Sequence, residues 1–258
     1  MKIADISVEY IQHVGSDLMV ANAARVSFDK ESEWGMVERE VTDEDIKNNP
    51  YPEFPIEKIL IPVLSEKDGK LIRYLANHKH TSPFNHSFIT TRIKAPIFVA
   101  RQLVKHKFLP WNEVSRRYVD DEPEFYMPKV WRAKADNVKQ GSSDERCEAM
   151  YENADKDWMH EDISMPLDDQ VQLLMSNQAL LYREMIEKGC SAEQARMILP
   201  QNTMTTWYWS GTLGAYCDML RLRLDPHTQY ESRIVAEKVK EIITPLFPVS
   251  VPALLGIK

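Results

Sequence analysis

Cysteine is scarce in this chain: three in 258 residues, Cys147, Cys190 and Cys217. An odd, sparse set argues against a disulfide framework and fits a reducing compartment. A reactive thiolate also needs a local positive field. Cys147 lies instead among carboxylates in Asp-Glu-Arg-Cys-Glu, Cys217 falls inside a helical pattern and Cys190 adjoins a helix start. None of the three reads as a nucleophile. Long apolar runs are missing too. Stretches such as Ala95 to Ala100 fall far short of the ~18–20 residues needed to cross a bilayer. Met1-Lys2-Ile3-Ala4-Asp5 lacks the apolar core of a signal peptide. A cytoplasmic protein with no membrane partner is expected. Positive charge is in deficit, with Lys+Arg 32 against Asp+Glu 39 and a net charge of -7. Non-specific binding to a polyanion is therefore not favoured by the molecule as a whole, and any basic site must be local. There is no internal repeat and no low-complexity tract. The length suits one large domain or two small ones, burying roughly 70–75% of the unfolded surface.

Such a local site is present. From Gln102 to Tyr118 the chain packs Lys105, His106, Lys107, Arg116 and Arg117 around one acid, Glu113. Crowded like charges repel, so the cluster calls for an anion to offset it. Upstream, His86 to Lys94 alternates, with Ile89, Thr91 and Ile93 on one face, the period of a strand. Pro96 suits the first turn of a following helix, in which Ile97, Ala100 and Val104 share one face and Gln102, Lys105 and His106 another. Pro110 starts a loop carrying Asn112, Glu113 and Ser115.

Farther on, Asp168 to Lys188 is a long helical pattern ending at Gly189. Ser191-Ala-Glu-Gln194 is a capping box opening a short helix that holds Arg196 and stops at Pro200. Thr206 to Leu222 reads as an amphipathic helix, within which Trp207, Tyr208 and Trp209 are candidates for a core or a subunit interface. Asp225-Pro226 reads as an N-cap and first helical residue, opening a helix from His227 to about Thr244 and leaving Arg223 just ahead of its N-terminus. Residues 32–58 and 133–163 are rich in charge and turn material and read as insertions. The expectation is an α+β fold, with a mixed sheet, long helices and a helical C-terminal half, in a single catalytic domain over residues 1–258.

At this point the chain resembles a known family, the flavin-dependent thymidylate synthases. Their signature is Arg-His-Arg, seven residues, then Ser. Here Lys105-His106-Lys107, seven residues and Ser115 match in spacing, with both arginines replaced by lysine. The match is reinforced, in the family's order, by Ala23-Ala-Arg-Val-Ser-Phe28, His80-Thr-Ser-Pro-Phe-Asn-His86, Asn112-Glu-Val-Ser115, Ala195-Arg-Met-Ile-Leu-Pro200 and Leu222-Arg-Leu-Asp-Pro-His227. The resemblance implies reductive methylation of dUMP to dTMP. Methylenetetrahydrofolate would be the carbon donor, and FAD would carry hydride from NADPH. It also implies a homotetramer with shared active sites, and chemistry that needs no enzyme nucleophile.

Carried over by position, the resemblance places dUMP on Gln102, Lys105, Glu113, Ser115, Arg116, Arg117 and Arg196. It makes Arg223 the catalytic residue that favours ionisation of the pyrimidine, by stabilising developing negative charge. FAD would contact Ser27, His80, Ser82, Lys105, His106, Lys107, Glu113, Asp218 and His227. Lysine at 105 and 107 keeps the charge of the family's arginines but loses their planar fork. Thr212-Leu213-Gly214, Asp218 and Asn85 also depart from the family pattern, and leave room for a variant pyrimidine methylase or hydroxymethylase acting on dCMP or yielding a hydroxymethyl product. Two other readings of the chain are a catalytically inactive structural homologue and a nucleic-acid binder. Against the latter stand the net charge and the absence of a second basic stripe. His78, His80 and His86 bring no obvious acidic ligand, and no metal is expected.

Overall fold

The structure, a computed structural model, describes residues 1–47, 57–136, 141–153 and 165–257. Its elements begin with β1 (Lys2–Ile3), β2 (Ser7–Val14), α1 (Asp17–Arg25), β3 (Gly35–Glu40), α2 (Asp43–Lys47), β4 (Lys58–Val63) and α3 (Glu66–Asn77). There follow β5 (Phe88–Pro96), α4 (Ile97–Leu103), β6 (Trp111–Glu113), β7 (Glu124–Phe125), β8 (Arg132–Lys134) and β9 (Ser142–Arg146). The remainder is α5 (Leu167–Glu187), α6 (Ala192–Ala195), β10 (Met204–Thr212), α7 (Leu213–Arg223), α8 (Tyr230–Leu246) and α9 (Ser250–Leu255). The class is α+β with a helical C-terminal half, as the sequence implies. No described helix is long and apolar enough to cross a membrane.

The chain divides into two compact units, the first being Met1–Gln12, Ile89–Gly211 and Ala215–Ile243. Its sheet has the order β2-β5-β10-β6. In β5 the alternating Ile89, Thr91, Ile93 and Ala95 are all buried, which is the face the sequence pattern assigns to the core. The Tyr216 hydroxyl on α7 lies 3.0 Å from Thr91 Oγ1 and donates to the Trp209 carbonyl at 2.7 Å. This satisfies a buried hydroxyl while fixing helix to sheet.

β10 corrects the helix expected over Thr206 to Leu222, because residues 204–212 are strand and helix begins only at Leu213. Thr205, Trp207, Trp209 and Gly211 are buried, whereas Thr206, Tyr208 and Ser210 are more open. That period of two, in β-branched and aromatic residues, is a strand signature. The adjacent Trp-Tyr-Trp masks it as an unbroken apolar run.

The turn at Asp225 corrects a second helix boundary. The Asp225 carboxylate accepts the His227 amide at 2.8 Å, and its carbonyl accepts the Thr228 amide at 2.9 Å. These bonds close a tight turn of the kind Asp side chains favour, and α8 starts only at Tyr230. Arg223 therefore ends α7, where helix carbonyls favour a cation, rather than preceding a helix N-terminus.

α4 is shorter than its sequence pattern suggests. Pro96 is its N-cap, Val104 its C-cap, and Lys105 and His106 lie in the turn beyond rather than on a helical face with Gln102. Phe108 has a φ of 63°, which reverses the chain ahead of β6. Asn112 and Glu113, expected in a loop, form an edge strand in register with Tyr208 and Trp207. Ser191 is the N-cap of α6 but makes no side-chain cap bond, so the capping box is not formed. α5 ends just before Gly189 as expected.

The second unit comprises His13–Phe88, Thr212–Gly214 and Thr244–Lys258. Buried Asp17 accepts the Val249 amide at 2.7 Å and the Ser250 amide at 3.0 Å, so α1 caps the start of α9. Both charged segments include antiparallel strand pairs, β3 with β4 in this unit and β8 with β9 in the first. Their portions at 48–56, 137–140 and 154–164 lie outside the described residues.

Candidate functional site

The basic run of the first unit builds the walls of two different cavities, because α4 shows a different face to each. Ile97, Ala100, Arg101 and Val104 line a cavity of about 420 Å³. Phe98 and Gln102 line another, of about 890 Å³. Positions 97, 101 and 104 follow the i, i+4, i+7 spacing of one helical stripe, and 98 and 102 fall on a neighbouring stripe.

The smaller cavity gathers Glu113, Ser115, Arg116 and Arg196, four of the expected nucleotide residues. The β6 edge sets their order, and Val114 extends the ladder by donating to the Thr206 carbonyl at 2.9 Å. Ser115 Oγ accepts from the Arg117 amide at 3.4 Å and from Arg117 Nε at 3.3 Å, and among the described residues no base is bonded to it that would make it a nucleophile. Glu113 is held on both oxygens, by Trp111 Nε1 at 3.0 Å and by Thr205 Oγ1 at 2.8 Å. Arg116 donates to the Asp121 carbonyl at 2.9 Å, and Arg196 Nε to the Glu193 carbonyl at 3.2 Å. Both guanidinium groups keep donors for a ligand. Lys94 pairs with Glu124 across the same cavity. Arg101, Arg116 and Arg196 therefore face Glu113 with an excess of positive charge, the donor set a phosphate dianion requires. Arg101 was not among the residues expected from sequence. Its signal was its position four residues beyond Ile97 on the same stripe.

The larger cavity contains Arg223, Gln102 and His227. Arg223 Nε donates to His106 Nε2 at 2.9 Å, and Nη2 donates to the Gln102 carbonyl at 3.3 Å. The Gln102 amide donates to Gln229 Oε1, and Gln102 Oε1 accepts from Ser232 Oγ at 2.9 Å. Burial, and secondarily the charge of Arg223, lower the His106 pKa from 6.5 to about 4. Burial likewise lowers that of Arg223. Apolar and aromatic walls from Phe98, Tyr126, Trp131 and Met175 complete the cavity.

The remaining expected residues are dispersed. Lys105, Lys107 and Arg117 are exposed and line neither cavity, and the two lysines have no ion-pair partner among the described residues. Asp218 pairs with Arg221 at 2.8 Å on its own helix, so its charge is offset locally. His227 is exposed and bonded to Asp225. Ser27, His80 and Ser82 belong to the second unit and are exposed there. So do Asn85 and Gly214. A Cβ on Gly214 would fall 2.5 Å from Asn85 Oδ1, and Thr212 Oγ1 lies 2.8 Å from the same oxygen. Three departures from the family pattern are thus one mutually fitted contact. Among the described residues, no group of three or more His, Cys, Asp or Glu gathers where a metal could bind.

Over residues 9–249 the chain matches the family described as thymidylate synthase complementing protein. A flavin-dependent thymidylate synthase of Gluconobacter oxydans (strain 621H) is 37% identical over 189 residues, which are 72% of this chain and 59% of that protein. The match thus spans less than two thirds of that relative's length. One from Wolbachia pipientis wMel is 33% identical over 245 residues, covering 94% of this chain and 71% of its own. One from Thermotoga neapolitana is 30% identical over 235 residues, covering 91% and 84%. Among solved structures, the UMP/dUMP methylase PolB from Streptomyces cacaoi, bound with 5-Br dUMP, aligns with a TM-score of 0.67 and 25% identity. That alignment covers 99% of this chain and 97% of the other.

Proposed function

This chain belongs to the thymidylate synthase complementing protein family, and we propose that it methylates dUMP reductively to dTMP. Methylenetetrahydrofolate would give the carbon, and NADPH the hydride by way of FAD. The observation that carries the reading is the cationic cavity of Arg101, Ser115, Arg116 and Arg196, whose charge suits a nucleotide phosphate. Relatives named as flavin-dependent thymidylate synthases and a neighbour bound with a 5-substituted dUMP support it.

In this reading Ser115 and the arginines hold the phosphate by charge-assisted bonds, and Arg117 approaches from the same turn. Arg223 faces the pyrimidine, where its guanidinium stabilises the negative charge that makes carbon 5 nucleophilic. Such a preorganised donor contributes roughly a hundredfold or more to turnover. Neutral His106 accepts from Nε and leaves the other guanidinium N–H groups directed elsewhere. Gln102, fixed by Gln229 and Ser232, holds the opposite edge.

The two exposed lysines of the first unit suit the diphosphate of a flavin dinucleotide by charge. Lys105 and Lys107, with no ion-pair partner among the described residues, offer charge to a diphosphate, with Glu113, Asp218 and His227 of the same unit as further contacts; the family resemblance adds Ser27, His80 and Ser82. When bound, the flavin supplies hydride transfer, which no side chain can provide. The nucleotide residues are divided between two cavities of one chain, and this favours an assembly in which copies share a site, a homotetramer working in the cytoplasm. The fitted contact of Asn85, Thr212 and Gly214 favours one second reading, a variant pyrimidine methylase or hydroxymethylase.

Tritium release from 5-tritiated dUMP, with FAD, NADPH and methylenetetrahydrofolate, tests the main reading, and no release under any flavin loading overturns it. Repeating the assay with dCMP and weighing the product from each substrate decides the second, since a product one oxygen heavier than the methylated nucleotide of the same base identifies hydroxymethylation.

A further inference from the structure

Gly141, the residue entering β9, has a φ of 93°. A Cβ built there would lie 2.8 Å from the carbonyl oxygen of His227 and 3.5 Å from its Cα. The obstruction is backbone, which no rotamer change relieves. The hairpin that carries Gly141 is itself held firmly. Arg132 on β8 donates through Nε to Ser142 Oγ at 2.8 Å and pairs with Asp144. Its guanidinium carbon stands 4.6 Å from the ring centroid of Tyr230, the first residue of α8. The preceding Trp131 accepts the Cys147 amide at 2.7 Å and donates its indole N–H to Asp168 on α5 at 2.6 Å.

The turn pressed by this hairpin leads to the reactive end of the larger cavity. His227 is bonded to Asp225, and Thr228 Oγ1 donates to the Leu222 carbonyl at 2.8 Å. Gln229 holds the Gln102 amide, the Gln102 carbonyl accepts from Arg223 Nη2 at 3.3 Å, and Arg223 Nε reaches His106. Gly141, Gln102, Arg223, His227 and Gln229 all line the same cavity.

We propose that Gly141 is a positioning residue for Arg223. The β8–β9 hairpin seats its backbone directly on His227, sets the turn at 225–229, and through Gln229 and Gln102 fixes the Arg223 guanidinium. The proposal rests on the reading of Arg223 as the group that faces the pyrimidine.

The test sets Gly141→Ala beside Gly189→Ala in the full chain. Gly189 has a φ of 87° but nothing within 4 Å of a Cβ placed on it. Both substitutions strain the backbone, and only the first collides. A loss of melting temperature is expected in both, the larger in Gly141→Ala. Gly141→Ala alone is expected to lower the turnover of tritium release about tenfold, the scale of a small displacement of a catalytic group. It is also expected to weaken dUMP binding by calorimetry. A ligand-free readout is the NMR titration of the His106 ring, assigned with His106→Gln. Its midpoint, about 4, is expected to rise by about one unit in Gly141→Ala and to stay in Gly189→Ala.

Gln229→Leu cuts the relay without touching the hairpin, and is expected to give the same His106 shift even where Gly141→Ala does not fold. An unmoved His106 in Gly141→Ala, or in Gln229→Leu, overturns the proposal. A wild-type protein that releases no tritium overturns the assigned reaction instead, and the His106 comparison still decides the positioning role.

Discussion

Arg223 donates its Nε–H to Nε2 of His106 at 2.9 Å, which makes His106 a neutral imidazole with its proton on Nδ1. The pair is what sets the guanidinium in place, since a protonated ring would have no lone pair to offer and would repel its partner. Two residues separated by 117 positions thus act as one unit, and each is silent about the other in sequence.

A pH dependence follows from this pair. The folded pKa of His106, about 4, lies below its ordinary 6.5, so between these values the unfolded chain binds the extra proton. The stability that neutral His106 contributes is complete above pH 6.5 and is lost as pH falls towards 4. Urea midpoints measured across this window are expected to decline with acid in the wild type and to decline less in His106→Gln. Equal slopes for the two proteins would remove His106 as the cause.

Flavin affinity reports on the lysines of the motif. Lys105 and Lys107 supply charge without the planar fork of arginine, so Lys105→Arg with Lys107→Arg is expected to tighten FAD binding several-fold. Replacement of either by alanine is expected to weaken it by about tenfold, on the scale of one charge-assisted contact. Flavin fluorescence titration measures both, and alanine variants that bind like wild type would place the cofactor elsewhere.

No thiol serves the proposed reaction. Burial raises the Cys217 pKa from 9.0 to about 12, and Cys147 and Cys190 are half-buried. The variant with Cys147, Cys190 and Cys217 all replaced by alanine is expected to keep tritium release within about threefold of wild type, with a lower melting temperature from the cavity at position 217. Loss of turnover in a folded triple variant would point to a covalent thiol step.

In the second unit, the stability of the fold depends on Asp68. Burial raises its pKa, but hydrogen bonds from Ser65, Arg25 and Ser32, with the charge of Arg25, outweigh that and hold it below 3.8. Arg25 reaches Oδ1 through Nε at 2.8 Å and Nη2 at 2.5 Å. Asp68→Asn leaves that guanidinium buried without a counter-charge and is expected to cost about 3–5 kcal/mol in chemical denaturation. A cost below about 1 kcal/mol would mean that solvent already screens the pair.

The sequence alone determined what depends on near neighbours. The period of two in Ile89, Thr91 and Ile93 marked β5, and Gly189 marked the end of α5, because both follow from backbone geometry a few residues long. The spacing from Lys105 to Ser115 and the blocks around Arg196 and Arg223 marked the family. Local signals also misled. Trp207-Tyr208-Trp209 hid a strand's alternation inside an apolar run, and Asp225 used its carboxylate to close a turn instead of capping a helix.

Tertiary structure decided the rest. It assigned Arg196 to one cavity and Arg223 to another, joined Asn85 to Gly214, and set Gly141 against His227. Each of these is a contact between side chains or backbones far apart in sequence. Such contacts exist only once packing has brought the segments together, and periodicity, which records one element at a time, carries no trace of them.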